Sequence, residues 1–287
     1  MPISQKDSIS LLNRLIGIQV EGFYKQDNLQ KYSKESRRII NTIDTLSYSA
    51  LDVYYYFLKY WTEKSNKLIP CEQTPKNLYY LEEIINNFNN ARVLNMVRDP
   101  RSILLSQKNK WKRRFLGERM PIFESFRAWS LYHPITIAML WNSATNVIDK
   151  YHCKHVLTIK FEDFITDPER HLSLICNHCQ INFSLDMLNV PQLGSSIGAD
   201  DSEKFGIDKS KAFTWRNSNI SNAELHLLQR FTKVNLQKFG YELEDIKPNY
   251  FQVLYWYVMF PVKISLSFML NLGRMRNILE TLKRRLG

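Results

Sequence analysis

Glycine is scarce in this sequence. Nine glycines among 287 residues leave little room for the glycine-rich loops that let backbone N–H groups close around a phosphate, so any such loop has to be sought residue by residue. Cysteine is scarce too: Cys71, Cys153, Cys176 and Cys179. Nothing in their number or spacing calls for disulfides, and no signal-peptide pattern opens the sequence, so a reducing, cytoplasmic setting is expected. Cys176-Asn177-His178-Cys179, with His152 and His155 upstream, is a single CxxC without a second ligand pair. It falls short of the four ligands of a structural zinc site, and no metal is expected. Zinc-finger spacing, DNA- or RNA-binding motifs, internal repeats and low-complexity linkers are all missing. Acidic residues are outnumbered, 28 against 39 Lys and Arg, for a net charge of +11. With no nucleic-acid motif to accompany it, that charge points to a small polyanion or an anionic lipid surface.

Apolar residues make up 44 % of the chain and aromatics 13 %, enough for one large α/β domain or one domain with an extension. Apolar spacing predicts a helix over residues 8–20 and a long helical region over 34–64, broken near Leu46-Ser47. The aromatic stretch from Val53 to Trp61 reads as packing surface rather than a binding box. Residues 67–75 are expected to hold a short strand, followed by a helix over 76–88. The apolar run at 92–97 reads as a strand buried on both faces, as in a parallel sheet. Helices follow over 100–112 and 122–151, the second interrupted at Pro134, and then another buried strand at 155–161. Asp167-Pro168-Glu169 has the marks of a helix start. Residues 190–214 read as a polar loop and 221–239 as a helix closed by Gly240. Strands alternating with helices predict an α/β fold with a parallel sheet flanked by helices.

The stretch VLNMVRDPRSILLSQKNKW, residues 93–111, has the most to say about chemistry. Asp99 and Pro100 suit an N-cap and a first helical residue, which sets Arg98 at the carboxyl end of a parallel strand, the rim where open α/β sheets bind ligands. Ser106 follows about two turns into the helix. Arginine offers a planar fork for phosphate oxygens and serine one more donor. From the residues alone two readings stand side by side: an anion site, or a strand-end arginine paired to a local carboxylate beside an incidental serine.

The stretch resembles the 3′-phosphate-binding motif of sulfotransferases that use 3′-phosphoadenosine-5′-phosphosulfate, where a strand-end arginine and a serine eight residues on hold the 3′-phosphate. The matching positions are Arg98 and Ser106. The resemblance extends outward in order. CEQTPKNLYYLEEIINNFNNARVLNMVRDPR is similar to the Glu-Lys-Thr-Pro segment, helix and strand that precede the motif. VLTIKFEDFITDPERHLSLICNHCQI and FTWRNSNISNAELHLLQRFTKVNLQKFGYE are similar to the blocks that follow it, so coverage is roughly residues 67–243. The resemblance implies a fold of the P-loop nucleotide-binding type over residues 1–248, with 249–287 as a helical C-terminal extension. It implies sulfuryl transfer without a metal from that co-substrate to a hydroxyl or amine acceptor. Where family members close over the nucleotide, this chain has FGIDKSKAFTWRNS, which makes Lys209, Lys211 and Trp215 cofactor-binding candidates. The other reading of that loop is a solvated basic segment with one buried tryptophan. Glu162, Asp163 and Asp167 match the family but read as fold-building caps and turns.

The family's phosphosulfate loop is where the chain departs. Its nearest counterpart here is KDSISLL, which puts Lys6 on the basic residue, as a catalytic candidate, and Ser10 on a cofactor-binding hydroxyl. Asp7 then stands where serine is expected, Ser8 on the glycine and Ile9 on a threonine. An ordinary capped helix start, with Asp7 or Ser8 as the cap, accounts for the same residues. A missing N-terminal segment, a degenerate but working loop and a loss of catalysis all stay open. Gln73 replaces the family's lysine in Glu-Lys-Thr-Pro, which removes a charge from the transfer site. Counting on from Lys6 toward the family's general base reaches Asp27, with Glu21 nearby.

The last 38 residues, 250–287, are apolar and aromatic first and basic afterwards, with Arg274, Arg276, Lys283, Arg284 and Arg285 set between leucines. Two readings compete: an interfacial anchor on an anionic membrane, and a pair of helices packed on the domain. Three functions therefore stand at the level of sequence. They are a sulfotransferase, a nucleotide-binding relative without catalysis, and a membrane-surface interaction protein on the same fold.

Overall fold

The computed structural model describes residues 2–22, 29–43, 48–116, 120–151, 154–192 and 201–272. The chain divides into two compact units, Met1–Pro75 and Lys76–Gly287. In the first, β1 (Pro2–Ile3) pairs antiparallel with β2 (Tyr48–Ser49), and α1 (Gln5–Glu21), α2 (Ser33–Ile40) and α3 (Ala50–Lys64) complete the unit. Leu12 and Ile16 of α1 meet Ile39 and Ile40 of α2 and Val53 and Phe57 of α3 in one apolar core. The spacing of these residues at three and four positions is what makes each helix amphipathic. Ser49 and Asp52 cap α3 reciprocally. The aromatic stretch of α3 packs as expected, Val53 and Phe57 inward with Tyr54, Tyr56, Tyr60 and Trp61 around them.

The second unit contains α4 (Leu81–Asn87), β3 (Val93–Val97), α5 (Pro100–Asn109), α6 (Ile122–Leu131), α7 (Pro134–Asp149) and β4 (Val156–Lys160). After these come α8 (Phe161–Thr166), α9 (Pro168–Cys179), β5 (Pro191–Gln192), β6 (Asp201–Phe205), α10 (Asn222–Lys238) and α11 (Tyr250–Asn271). β3 and β4 run parallel in the register Val93↔Val156 to Val97↔Lys160, so the fold is a mostly helical α/β arrangement around a small parallel sheet. Val97 packs on Trp141 of α7, Leu236 of α10 and Tyr241, with Ile103 of α5 alongside. Proline and aspartate set the helix starts as the sequence suggests. His133 caps α7 ahead of Pro134, and Asp167 caps α9 by accepting from Arg170 N–H. α10 carries a Ser221–Glu224 capping box and gives way to Gly240 at φ 69°, a left-handed turn that glycine adopts without steric cost.

Four expectations are corrected. Residues 67–75 form no strand: Leu68 is 97 % exposed, and an apolar dipeptide with no partner strand has nothing to bury against. β3 is not buried on both faces. Helices cover the side of Val97, whereas Leu94 and Met96 are 44 % and 45 % exposed; strand alternation puts them on the opposite side. Residues 190–214 are not all loop, because β5 and β6 pair antiparallel. The cap of α1 is Ser4, which accepts from Asp7 N–H at 3.1 Å, rather than Asp7 or Ser8. α11 packs on α6, α7 and α10.

One buried pair closes the second unit. Asp99, fully buried, caps α5 through Arg101 N–H and grips the Arg101 guanidinium with both oxygens, at 2.8–3.1 Å. Arg101 Nη1 reaches Gln229 Oε1 of α10 at 3.1 Å and the Glu242 carbonyl at 3.0 Å. Its guanidinium lies 4.2 Å from the centre of the Trp215 ring. Removing one partner of such a pair strands the other charge in the interior. Arg101→Ala is expected to destabilise the fold by about 3–5 kcal/mol, read as a lower urea midpoint at unchanged slope. A loss below about 1 kcal/mol, the scale of an exposed pair, would show that the pair does not hold the unit.

Candidate functional site

Arg98 follows the last residue of β3, and its backbone is fixed: Trp141 Nε1 donates to the Arg98 carbonyl at 3.0 Å. The guanidinium lies over Phe161, 4.4 Å from the ring centre, and Nη2 donates to the Lys211 carbonyl at 3.3 Å. Nε is buried without a hydrogen-bond partner. Burial pulls the guanidinium below its ordinary pKa, against the favourable charges of Glu162 and Asp99, but an arginine keeps its proton. The site therefore holds a partly desolvated cation.

Both neighbouring carboxylates are engaged elsewhere. Asp99 is taken by Arg101. Glu162, in the first turn of α8, accepts from Asp99 N–H at 2.9 Å and from the Tyr241 hydroxyl at 2.8 Å. Among the described residues Arg98 makes no ion pair of its own, so the reading in which it merely neutralises a local carboxylate does not describe this rim. Glu162 is fold-building, as expected from its sequence position. Burial pushes its carboxyl up, with the two donors working against that shift. Burial, and then Glu162 itself, pushes the Tyr241 phenol up.

Ser106 sits half-buried in α5, two turns past Arg98. Ser102, one turn before it on the same helical face, has a buried hydroxyl without a partner. Ser102 is not among the candidates named from the sequence, although its spacing of four from Ser106 is a signal for it. Lys209–Lys211 form a short 3₁₀ turn capped by Asp208, which accepts from Ser210 N–H. The turn brings the Lys211 carbonyl, not its ammonium, to Arg98; the ammonium faces Asp208 at 3.8 Å, and Lys209 is exposed. Trp215 is 5 % exposed, packed among Leu104, Leu105 and Leu228 and facing Arg101. Beside α5 lies a cleft of about 710 Å³. Its walls include Leu105 and Asn109 of α5, Trp111, Lys112 and Phe115 of the following 3₁₀ segment, and the amides Asn217 and Asn219.

The first unit holds the remaining candidates. Lys6 and Ser10 are exposed residues of α1. The stretch is regular helix from its first turn, with Ser8 N–H bonded to the Ser4 carbonyl at 2.9 Å. Helical N–H groups used in this way cannot line an anion, so no phosphosulfate loop forms over Lys6–Ser10. Glu21 accepts from Lys31 at 2.7 Å and from Tyr32 at 2.8 Å. Asp27 lies outside the described residues. Gln73 is exposed, next to a Thr74 hydroxyl that donates to Glu72.

A family model described as Sulfotransferase family matches residues 18–184. Two solved structures are similar in fold. The sulfotransferase domain from the Synechococcus PCC 7002 olefin synthase has a TM-score of 0.49 at 17 % identity, over 83 % of this chain and 90 % of that one. The sulfotransferase domain from the curacin biosynthetic pathway has a TM-score of 0.45 at 18 % identity, over 81 % and 79 %. Comparison with curated proteins gives no match.

The raised Glu162 carboxyl makes a signed prediction. Its folded pKa lies above its unfolded one, so the folded state binds more protons, and stability falls as pH rises through the folded value. Tyr241→Phe strips a donor from the ionised form and raises that value further. The substitution should cost about 1.5–3 kcal/mol at neutral pH and less as pH falls into the carboxylate range. Urea unfolding of both proteins across that range is the check. A cost that grows toward acid would reverse the assignment.

Proposed function

The chain belongs to the sulfotransferase family, and from that premise we propose that it transfers a sulfuryl group from 3′-phosphoadenosine-5′-phosphosulfate to a hydroxyl or amine acceptor. The observation that carries this reading is Arg98. It is a strand-end guanidinium with a buried, unpartnered Nε, and its two nearest carboxylates are committed to Arg101 and Tyr241. A phosphate takes two parallel N–H donors from such a fork. Arg98 and Ser106 would hold the 3′-phosphate, contributing affinity and position more than bond-making. The cleft beside α5, with rings, amides and the Lys112 cation in its walls, suits an organic part of a ligand that carries polar groups.

The reaction is an in-line displacement at a charged tetrahedral centre, favoured by positioning and fixed charge. The acceptor's oxygen or nitrogen bonds to sulfur as its proton passes to a carboxylate or histidine acting as general base. The bond from sulfur to the bridging phosphate oxygen breaks, leaving adenosine 3′,5′-bisphosphate. A second reading, a nucleotide-binding relative without turnover, is favoured by one observation: Lys6–Ser10 is helix where the family has its phosphosulfate loop.

Titration calorimetry with adenosine 3′,5′-bisphosphate tests the site. Arg98→Ala should weaken binding by about 2–4 kcal/mol, and Ser106→Ala by about 1 kcal/mol, in variants whose circular dichroism matches the parent. Unchanged affinity in Arg98→Ala removes the assignment. Turnover with a panel of alcohols and amines then separates the two readings, since binding without transfer to any acceptor selects the second.

A further inference from the structure

α11 has the composition of a buried or membrane helix and the environment of neither. An 18-residue stretch within its 22 residues has a mean hydropathy of 1.5, yet only Val253 and Lys263 of the helix are buried. Phe251 is 87 % exposed and Tyr250 73 %, with Leu254, Val258 and Met269 all above half. An apolar surface of this extent on a soluble chain marks an interaction site. We propose that the exposed face of α11, together with its neighbour α6, docks on an anionic lipid bilayer, with the helix lying in the plane of the headgroups.

The length of α11, about 33 Å at 1.5 Å per residue, would cross a bilayer, but three ties hold the helix along the domain. His133 Nε2 donates to the Trp256 carbonyl at 2.8 Å. Lys263 Nζ donates to the Trp129 carbonyl of α6 at 3.0 Å and lies 3.3 Å from the centre of that indole. Arg127 Nε of α6 donates to the Leu270 carbonyl at 2.8 Å. Positions 256, 263 and 270 recur every seven residues and share one face, which leaves the opposite face free along its whole length. A spanning helix would have to give up all three ties and place Lys263 near mid-bilayer, where a charge is costly. An in-plane helix keeps them and buries only the free face among the acyl chains.

Charge selects the occupant. The 3₁₀ segment Lys110–Leu116 packs against α6 and carries Lys110, Lys112, Arg113 and Arg114. A second copy of this chain would bring these cations face to face, whereas anionic headgroups neutralise them. α6 adds apolar residues at the same border, with Ile122, Phe123 and Trp129 exposed.

The test is co-sedimentation of the full chain with vesicles of phosphatidylcholine alone or mixed with phosphatidylserine. The chain should sediment with the mixed vesicles in low salt, and about tenfold or more of that affinity should be lost in high salt. The variant carrying Phe251→Ser, Leu254→Ser and Val258→Ser, all at exposed positions, should lose about tenfold or more in low salt. Lys110→Glu with Lys112→Glu, a pair outside α11, should abolish the preference for phosphatidylserine; this second variant decides the matter if the first does not fold. Wild-type affinity in either folded variant, or no sedimentation of the parent with either vesicle, overturns the proposal. So does a lipid-free dimer that the serine variant converts to monomer, because a second copy would then cover the face. Retention on membranes after an alkaline carbonate wash would overturn the in-plane placement in favour of a span.

Discussion

The ion pair between Asp99 and Arg101 organises the second unit. Two charges two residues apart are taken out of water at the turn between β3 and α5, and the arrangement holds because Glu162, Gln229 and the Glu242 carbonyl each serve one of them. Asp99 is both helix cap and counter-ion, and its own N–H is taken by Glu162. Arg101 reaches past α5 to Gln229, whose amide in turn exchanges two hydrogen bonds with the Glu244 backbone. A buried pair contributes little net stability by itself, but a buried charge left alone is costly. The turn is therefore locked to α8 and α10 by what would be lost if it moved. Arg98 stands one residue before this pair and takes no part in it, and that separation is what makes its side chain available.

The same logic shows why part of the fold is legible in the sequence. Pro134, Asp167-Pro168 and Gly240 act through steric and capping rules confined to a few residues, so the helix limits they set appear where they are expected. β3 is legible as a strand and Arg98 as its terminal residue. The exposure of Leu94 and Met96 is not, because burial depends on what covers a face and not on the strand itself. Leu68 and Ile69 have strand-like chemistry and no partner to pair with. The β5–β6 ribbon sits in a polar segment without an alternating apolar pattern, so nothing local announces it.

The site divides along the same line. Arg98 can be found from the junction of strand and helix, and Ser106 from spacing. Its carboxylates cannot be excluded as partners until their own donors are seen, since Arg101 and Tyr241 come from sequence neighbours on one side and a distant segment on the other. Lys6 and Ser10 show the converse. Their match to a loop is a match of residue types, and the helix around them is fixed by Ser4, a cap three residues from Asp7 that competes for the same backbone N–H groups.

On the proposed anion site at Arg98, the contact between Arg98 Nη2 and the Lys211 carbonyl would give ligand capture the character of an exchange. A neutral carbonyl at 3.3 Å is a weak acceptor beside an ionised phosphate oxygen, which draws a guanidinium closer and binds it about twice as strongly. An oxyanion that takes Nη2 thus releases the Lys211 carbonyl, and with it one of the restraints on the 209–211 turn. Occupancy of the rim and mobility of that turn would then rise together. A bound anion at the end of β3 would be sensed first as a loosened backbone more than a hundred residues further along the chain.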